Sequence, residues 1–226
     1  MIYLSGVASL CIQAIVGFID FVAINVEIKQ DDEILKDLLK VELFVQIVEF
    51  VFYVWLIFYF KKSQNITPFR YVDWAITTPL MLISLSAFLN HDGKPGRLSD
   101  FLTKHKDSIV KIVLLNASML FFGLIGELRY LNKYVSTALG FIPFSLNFKF
   151  IKDTFLHSDD VSKIFIFYWF VAVWGMYGVF AVMNYTIKNT GYNILDIFSK
   201  NVFGVFLAYI VWSKHQSLNN SQQIQQ

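Results

Sequence analysis

One cysteine, Cys11, occurs in 226 residues, so no internal disulfide can staple the chain. Charge is scarce too: Asp, Glu, Lys and Arg make up 16% of the residues, and the formal net charge is only +2. With no basic run to concentrate it, that balance argues against nucleic acid as a partner. No basic stretch precedes the first apolar run, so residues 5–27 read as a retained first helix that directs insertion, not as a cleaved signal peptide. Nothing resembles a soluble domain, and no metal site is expected. What fills the chain is apolar: 56% hydrophobic residues, 24 phenylalanines and a mean hydropathy of +0.53. That composition describes a multi-pass integral membrane protein whose first partner is the lipid bilayer.

Seven apolar segments approach spanning length: Ser5–Val26, Leu38–Phe60, Phe69–Leu89, Ser108–Leu128, Leu131–Phe150, Ser162–Tyr185 and Gly191–Trp212. Polar connections separate them, the tightest near Arg129, and Pro143 would fall inside the fifth, where it could kink the helix. Residues 1–216 therefore read as one all-α membrane domain, a seven-transmembrane helix bundle, and 217–226 as a short polar, disordered tail. Alternate connections are unequally basic. One side holds Lys29, Lys36, Lys40, Lys94, Arg97, Lys104, Lys106, Lys111, Lys149, Lys152, Lys163 and Lys214; the other holds Lys61, Lys62, Arg129, Lys133 and Lys188. Twelve against five makes the first side cytoplasmic, with the N-terminus extracellular and the C-terminus cytoplasmic. The loop of residues 90–107, with Lys94, Arg97, Lys104 and Lys106, then reads as an ordinary basic inner loop at the head groups.

Within the last apolar run stands Lys200, a charge at mid-membrane depth that is costly without a partner and so marks a functional site. Asp196, four residues earlier, lies on the same helical face. The third segment adds Arg70 and Asp73. Two carboxylates, an arginine and a lysine at that depth are not bland packing, whereas many of the phenylalanines simply face lipid.

The run Arg70-Tyr71-Val72-Asp73-Trp74-Ala75-Ile76-Thr77-Thr78-Pro79-Leu80 closely resembles the third-helix signature of microbial (type 1) rhodopsins. Asp196-x-x-x-Lys200 is similar to that family's counterion and retinal-bearing lysine. Trp174-Gly175-Met176-Tyr177 resembles the aromatic wall against the polyene, and Asn116, Met119 and Gly123 stand where the family has a polar residue, a methionine and a glycine. The resemblance spans the whole chain and implies all-trans retinal bound covalently at Lys200, a photoreceptor and ion-transport role, and no enzyme activity. It makes Asp73 the acceptor of the proton, with Asp196 a second anion and Arg70 balancing the surplus negative charge. Thr77, four residues after Asp73, could reach that carboxylate. Trp74, Trp174 and Tyr177 offer flat apolar walls. Thr78 and Asn116 occupy the positions of a polar pair that links helices three and four.

Departures from the family pattern bear on what crosses the membrane. Outward proton pumps carry a carboxylate eleven residues after the acceptor; here that place is Ser84. Retention of Asp73 argues against chloride pumping. Helix two carries Glu42, Gln46, Glu49 and Tyr53 at spacings of 4, 3 and 4, a polar stripe on an apolar helix. Such a stripe belongs against the bundle interior or a water-filled path. Spaced glutamates on helix two and the Lys200-Asn201 pair resemble channelrhodopsins, and the short loops resemble rhodopsins of giant algal viruses. That resemblance implies a light-gated channel for monovalent cations and protons, lined by Glu42, Glu49, Asn193 and Asn201, with Thr77, Ser84 and Ser9 adding hydroxyls. Two alternatives stay open: an outward proton pump with Glu42 as a relocated donor, and a photosensor. Asp20 either lines the inner mouth or snorkels to the interface, and the oligomeric state is left open.

Overall fold

The computed structural model describes residues 1–59 and 65–224. Lys61 and Lys62, used in the charge comparison, lie outside the described residues, as do Phe60 and the last two glutamines. All regular structure among the described residues is helical. In chain order come α1 (Ile2–Ile24), a 3₁₀ turn (Gln30–Asp32), α2 (Glu33–Tyr59), α3 (Thr67–Asn90), α4 (Leu98–Lys104), α5 (Lys106–Glu127), α6 (Lys133–Phe155), α7 (Val161–Ala181) and α8 (Tyr185–Asp196). A π-helical turn (Ile197–Asn201) then leads into α9 (Val202–Ile224).

Among the described residues, six helical stretches are long and apolar enough to cross a membrane: α1, Gln30–Tyr59, α3, α5, α7 and the continuous Tyr185–Gln223. Helix α6 is of similar length, 23 residues or about 35 Å, but carries Lys133, Lys149, Lys152 and Asp153. It runs unbroken through Pro143.

The burial pattern is that of a protein in lipid. Ile15, Phe18, Phe21, Phe44, Ile47 and Val51 point outward, while Ser9, Gln13 and Asp20 on α1 and Glu42, Gln46 and Glu49 on α2 are buried. These two polar stripes face each other across an antiparallel helix pair, with Gly6 against Leu56 and Tyr53, and Gly17 against Gln46. Lipid solvates the apolar faces, so polar side chains find partners only inside the bundle.

Three expectations change. The sixth apolar segment was expected to reach Tyr185, with a connection at Thr186–Thr190; instead α7 stops at Ala181 and the last helical stretch begins at Tyr185. The Asn184 side chain caps it by accepting from Ile187 N at 3.0 Å. Residues 186–190 look like a loop because they are polar, yet Asn189 turns that polarity inward and is wholly buried. Second, the polar loop of residues 90–107 contains α4, whose start is held by Asp37 accepting from the Arg97 guanidinium at 2.6 and 2.8 Å. Third, α9 continues through residues 217–224, where a disordered tail was expected; Ser217 and Ser221 hydroxyls donate to the carbonyls four residues back.

Candidate functional site

Lys200 sits in the π-helical turn between α8 and α9, a local widening of the kind that recurs at functional sites. Its amine, almost wholly buried, donates to Asp73 Oδ2 at 2.8 Å. Glu49 Oε1 lies 3.2 Å away and Asp196 Oδ1 4.0 Å away. Asp73 and Asp196 were expected there. Glu49 was assigned to the ion path, and the structure brings it to the amine itself. Its place in the helix-two stripe was the available signal, but only the packing of α2 against the π turn shows which end of that stripe meets Lys200.

Asp196 is tightly held. Its Oδ2 accepts from Tyr53 Oη at 2.6 Å and from Arg70 Nη1 at 3.2 Å, and its Oδ1 accepts from Tyr177 Oη at 2.6 Å. Arg70 is fully buried; it also donates to Asn193 Oδ1 and, at 3.2 Å, to Asn189 Oδ1. The rings of Phe52, Tyr53 and Tyr192 lie within 5.9 Å of its guanidinium carbon. Three carboxylates thus face two cations at the centre of the bundle. Asp73 differs from Asp196 in that its Oδ1 has no hydrogen-bond partner among the described residues. The Thr77 hydroxyl does not supply one: it donates to the Asp73 backbone carbonyl at 3.0 Å, the usual local bond of a helical threonine. That corrects the expected Thr77–carboxylate contact.

From Lys200 a cavity with about 770 Å³ of empty space, counting its open mouth, runs between α3, α5, α6 and α7. Trp74, Thr78, Met119, Gly123, Trp174 and Tyr177 line it as expected, and Tyr71, Phe141, Phe144, Tyr192 and Ser199 join them. Asn116 stands behind this wall, donating from Nδ2 to Thr78 Oγ1 at 2.8 Å and so tying α5 to α3. Tyr177 has two tasks, since it walls the cavity and also bonds Asp196 and Ser199. An apolar, aromatic-walled cavity ending at a buried amine with carboxylates behind it fits retinal held as an imine on Lys200.

The remaining polar residues divide into two groups. On the Arg70 side, Asn193 donates to Ile2 O and Ser5 Oγ, both at 2.9 Å, and its Oδ1 accepts from Tyr53 Oη at 3.2 Å. On the opposite side, Glu42 is buried with Ser84 and Asp20 as its polar neighbours. Among the described residues, neither carboxylate oxygen of Glu42 or Asp20 has a hydrogen-bond partner, and the same holds for both polar atoms of Gln46 and Asn201 and for the Ser84 hydroxyl. Asp20 is wholly buried beside Gly204, so it does not snorkel. Ser9 accepts from Gln13 Nε2 at 3.0 Å.

A model of bacteriorhodopsin-like proteins matches residues 7–214. A comparison with curated proteins by sequence returns no match. Among solved structures, the chain is similar to viral rhodopsin OLPVRII, at 28% identity and a TM-score of 0.83, covering 94% of this chain and 98% of that one. It is also similar to a blue light-absorbing proteorhodopsin from Med12 (21% identity, TM-score 0.73, covering 95% and 98%). A third is xanthorhodopsin, described as a light-driven ion pump with dual chromophore (18%, 0.74, 96% and 95%). The last two likenesses show the fold alone. The chain is a multi-pass integral membrane protein that belongs to the bacteriorhodopsin-like family of microbial rhodopsins, whose members normally bind retinal through a lysine Schiff base.

Proposed function

We propose that this protein is a light-gated cation channel with all-trans retinal on Lys200. The observation that carries the reading is the row of buried polar side chains on one side of the amine. Glu49, Gln46, Glu42, Asp20, Ser84 and Asn201 are all buried; Glu49 faces Lys200 at 3.2 Å, and among the described residues Gln46, Glu42, Asp20 and Asn201 have no hydrogen-bond partner for either side-chain polar atom. Buried polar groups are normally satisfied, and orphans gathered along one path are satisfied by water or a passing ion. Carboxylates spaced along such a path select cations. The seven crossings and the extracellular N-terminus belong to this proposal too, supported by the twelve-to-five asymmetry in Lys and Arg.

Bound in the cavity at Lys200, retinal would supply the absorption of visible light and a photoisomerisation. The residues do the rest. Asp73 Oδ2, 2.8 Å from that nitrogen, is placed to take its proton, and Glu49 at 3.2 Å is the next carboxylate in reach. Neutralising the Lys200–Asp73 pair removes the electrostatic tie between α3 and the π turn, so α2, α3 and α9 are freed to admit water beside Glu49. Arg70 and Asp196, held by Tyr53, Tyr177, Asn189 and Asn193, close the other side.

A second reading, an outward proton pump, is favoured by one observation: Glu42 stands beside Ser84, the position where a donor was missing. Photocurrent against voltage, first in symmetric and then in asymmetric salt, separates the two. For the channel, the current reverses sign near the cation equilibrium potential, and Glu42→Gln with Glu49→Gln changes selectivity and amplitude. A current that stays outward at zero driving force establishes the pump. Absence of current beside a normal visible band makes the protein a photosensor. An unchanged current in the double variant removes both glutamates from the path.

A further inference from the structure

At its other end the cavity beside Lys200 shares a wall with a second cleft. Tyr71, Gly123, Ser136, Thr137 and Ala181 line both, and the second is wider, with about 1440 Å³ of empty space counting its open mouth. That cleft lies at the end of the bundle where α5 turns into α6 and α7 into α8, and it is walled by Glu127, Arg129, Tyr130, Lys133 and Lys188. Lys200 lines the inner cavity alone. The wall common to the two cavities, the neck, is built of small side chains apart from Tyr71. A Cβ on Gly123 would lie 2.7 Å from the Tyr71 hydroxyl, so only glycine lets that ring stand aside. At Ala181 the side chain contributes a single methyl.

Resting on the reading of Lys200 as the retinal-bearing lysine, we propose that this neck is the door through which the chromophore loads. An apolar polyene aldehyde enters from the cleft with its aldehyde leading and its ring trailing. The order follows from the position of the amine: a ring-first entry leaves the aldehyde in the neck, away from Lys200. Charged residues and Tyr130 and Tyr134, 82% and 61% exposed, mark the cleft as head-group level, where the polar end of a membrane-dissolved aldehyde resides. At the inner end the Lys200 nitrogen attacks the aldehyde carbon once Asp73 Oδ2, at 2.8 Å, has taken its extra proton. A C=N bond replaces the C=O bond, the oxygen leaves as water with two amine hydrogens, and no oxidant or reductant is needed. The trailing ring then fills the neck.

The test uses full-length protein made without retinal, in membranes, with Cys11→Ser removing the native thiol. Thr137→Cys puts a single thiol in the neck, and a bulky maleimide is attached before all-trans retinal is added. Growth of the visible band should slow by at least an order of magnitude against the unmodified Thr137→Cys protein. Protein loaded first should label far more slowly, because the ring covers the thiol. Ala181→Cys repeats both measurements from α7 and decides the matter if the Thr137 variant forms no pigment. Leu114→Cys, 62% exposed on the outer face of α5, should label without slowing loading. Equal loading rates for modified and unmodified neck variants, or equal slowing at Leu114, overturn the door. A helical Cys11→Ser protein that never gains a visible band overturns the retinal reading instead.

Discussion

Arg70 and Asp196 form the ion pair on which the closed side of the site rests, and its strength can be measured. Both side chains are buried, with Nη1 and Oδ2 3.2 Å apart. At an effective dielectric constant of about 20 that separation corresponds to roughly 5 kcal/mol of attraction. Removing one member of a buried pair costs about 3–5 kcal/mol, because the other charge is stranded. Arg70→Gln leaves Asp196 with the Tyr53 and Tyr177 hydroxyls and with Lys200 at 4.0 Å, so its loss should fall near the lower bound. Asp196→Asn leaves Arg70 enclosed by three rings and two asparagines with no carboxylate, so its loss should fall near the upper bound. For a chain of this size, 3–5 kcal/mol lowers the thermal midpoint by about 6–20 °C. The double variant strands neither charge, so its loss should be about 2 kcal/mol or more below the sum of the single losses. Melting of the retinal-free protein, followed by fluorescence of its five tryptophans, reads all four corners of the cycle without a contribution from the chromophore. Losses that add to within about 0.5 kcal/mol would refute the reasoning, since independent sites behave that way.

Lys200→Ala should abolish the visible band after retinal addition while leaving the helical circular dichroism in place; a coloured variant sinks the retinal assignment. Gly126→Ala puts a Cβ 1.8 Å from the Ser136 hydroxyl oxygen, an overpacking worth about 1–3 kcal/mol that should lower the melting midpoint and that Ser136→Gly in the same chain should largely relieve. His91, just past the end of α3, is held below its ordinary pKa by burial, against the opposing pull of Asp32. The unfolded chain therefore takes up this proton more readily than the folded one. The neutral ring's contribution to stability is present above about pH 6.5 and declines as pH falls through that value. With the ring only partly buried the effect is small, and His91→Gln should flatten the pH dependence of the melting midpoint between about pH 7 and 5; an unaltered slope assigns that dependence to other groups.

Sequence alone determined the membrane class and the all-helical fold, and it singled out the charged residues at the centre of the bundle. Apolar runs of spanning length need no partner to be recognised, because lipid obliges the backbone to satisfy itself within the helix. Lys200, Asp73 and Asp196 were legible because charge at that depth is too costly to be incidental. The aromatic wall of Trp74, Trp174 and Tyr177 was legible through family resemblance. Tertiary structure alone decided how these parts meet. The helix-two stripe lists polar residues without saying which faces what. Packing against the π turn puts Glu49 3.2 Å from the amine, and packing against α1 puts Glu42 beside Asp20. Polar residues 186–190 read as a loop because hydropathy cannot distinguish water from a buried arginine as their partner; Asn189 bonds Arg70. Thr77 chose its own backbone over the Asp73 carboxylate, a choice that spacing cannot reveal. The neck between the two cavities joins α3, α5, α6 and α7, which meet only after the chain has folded, and no local pattern announces it.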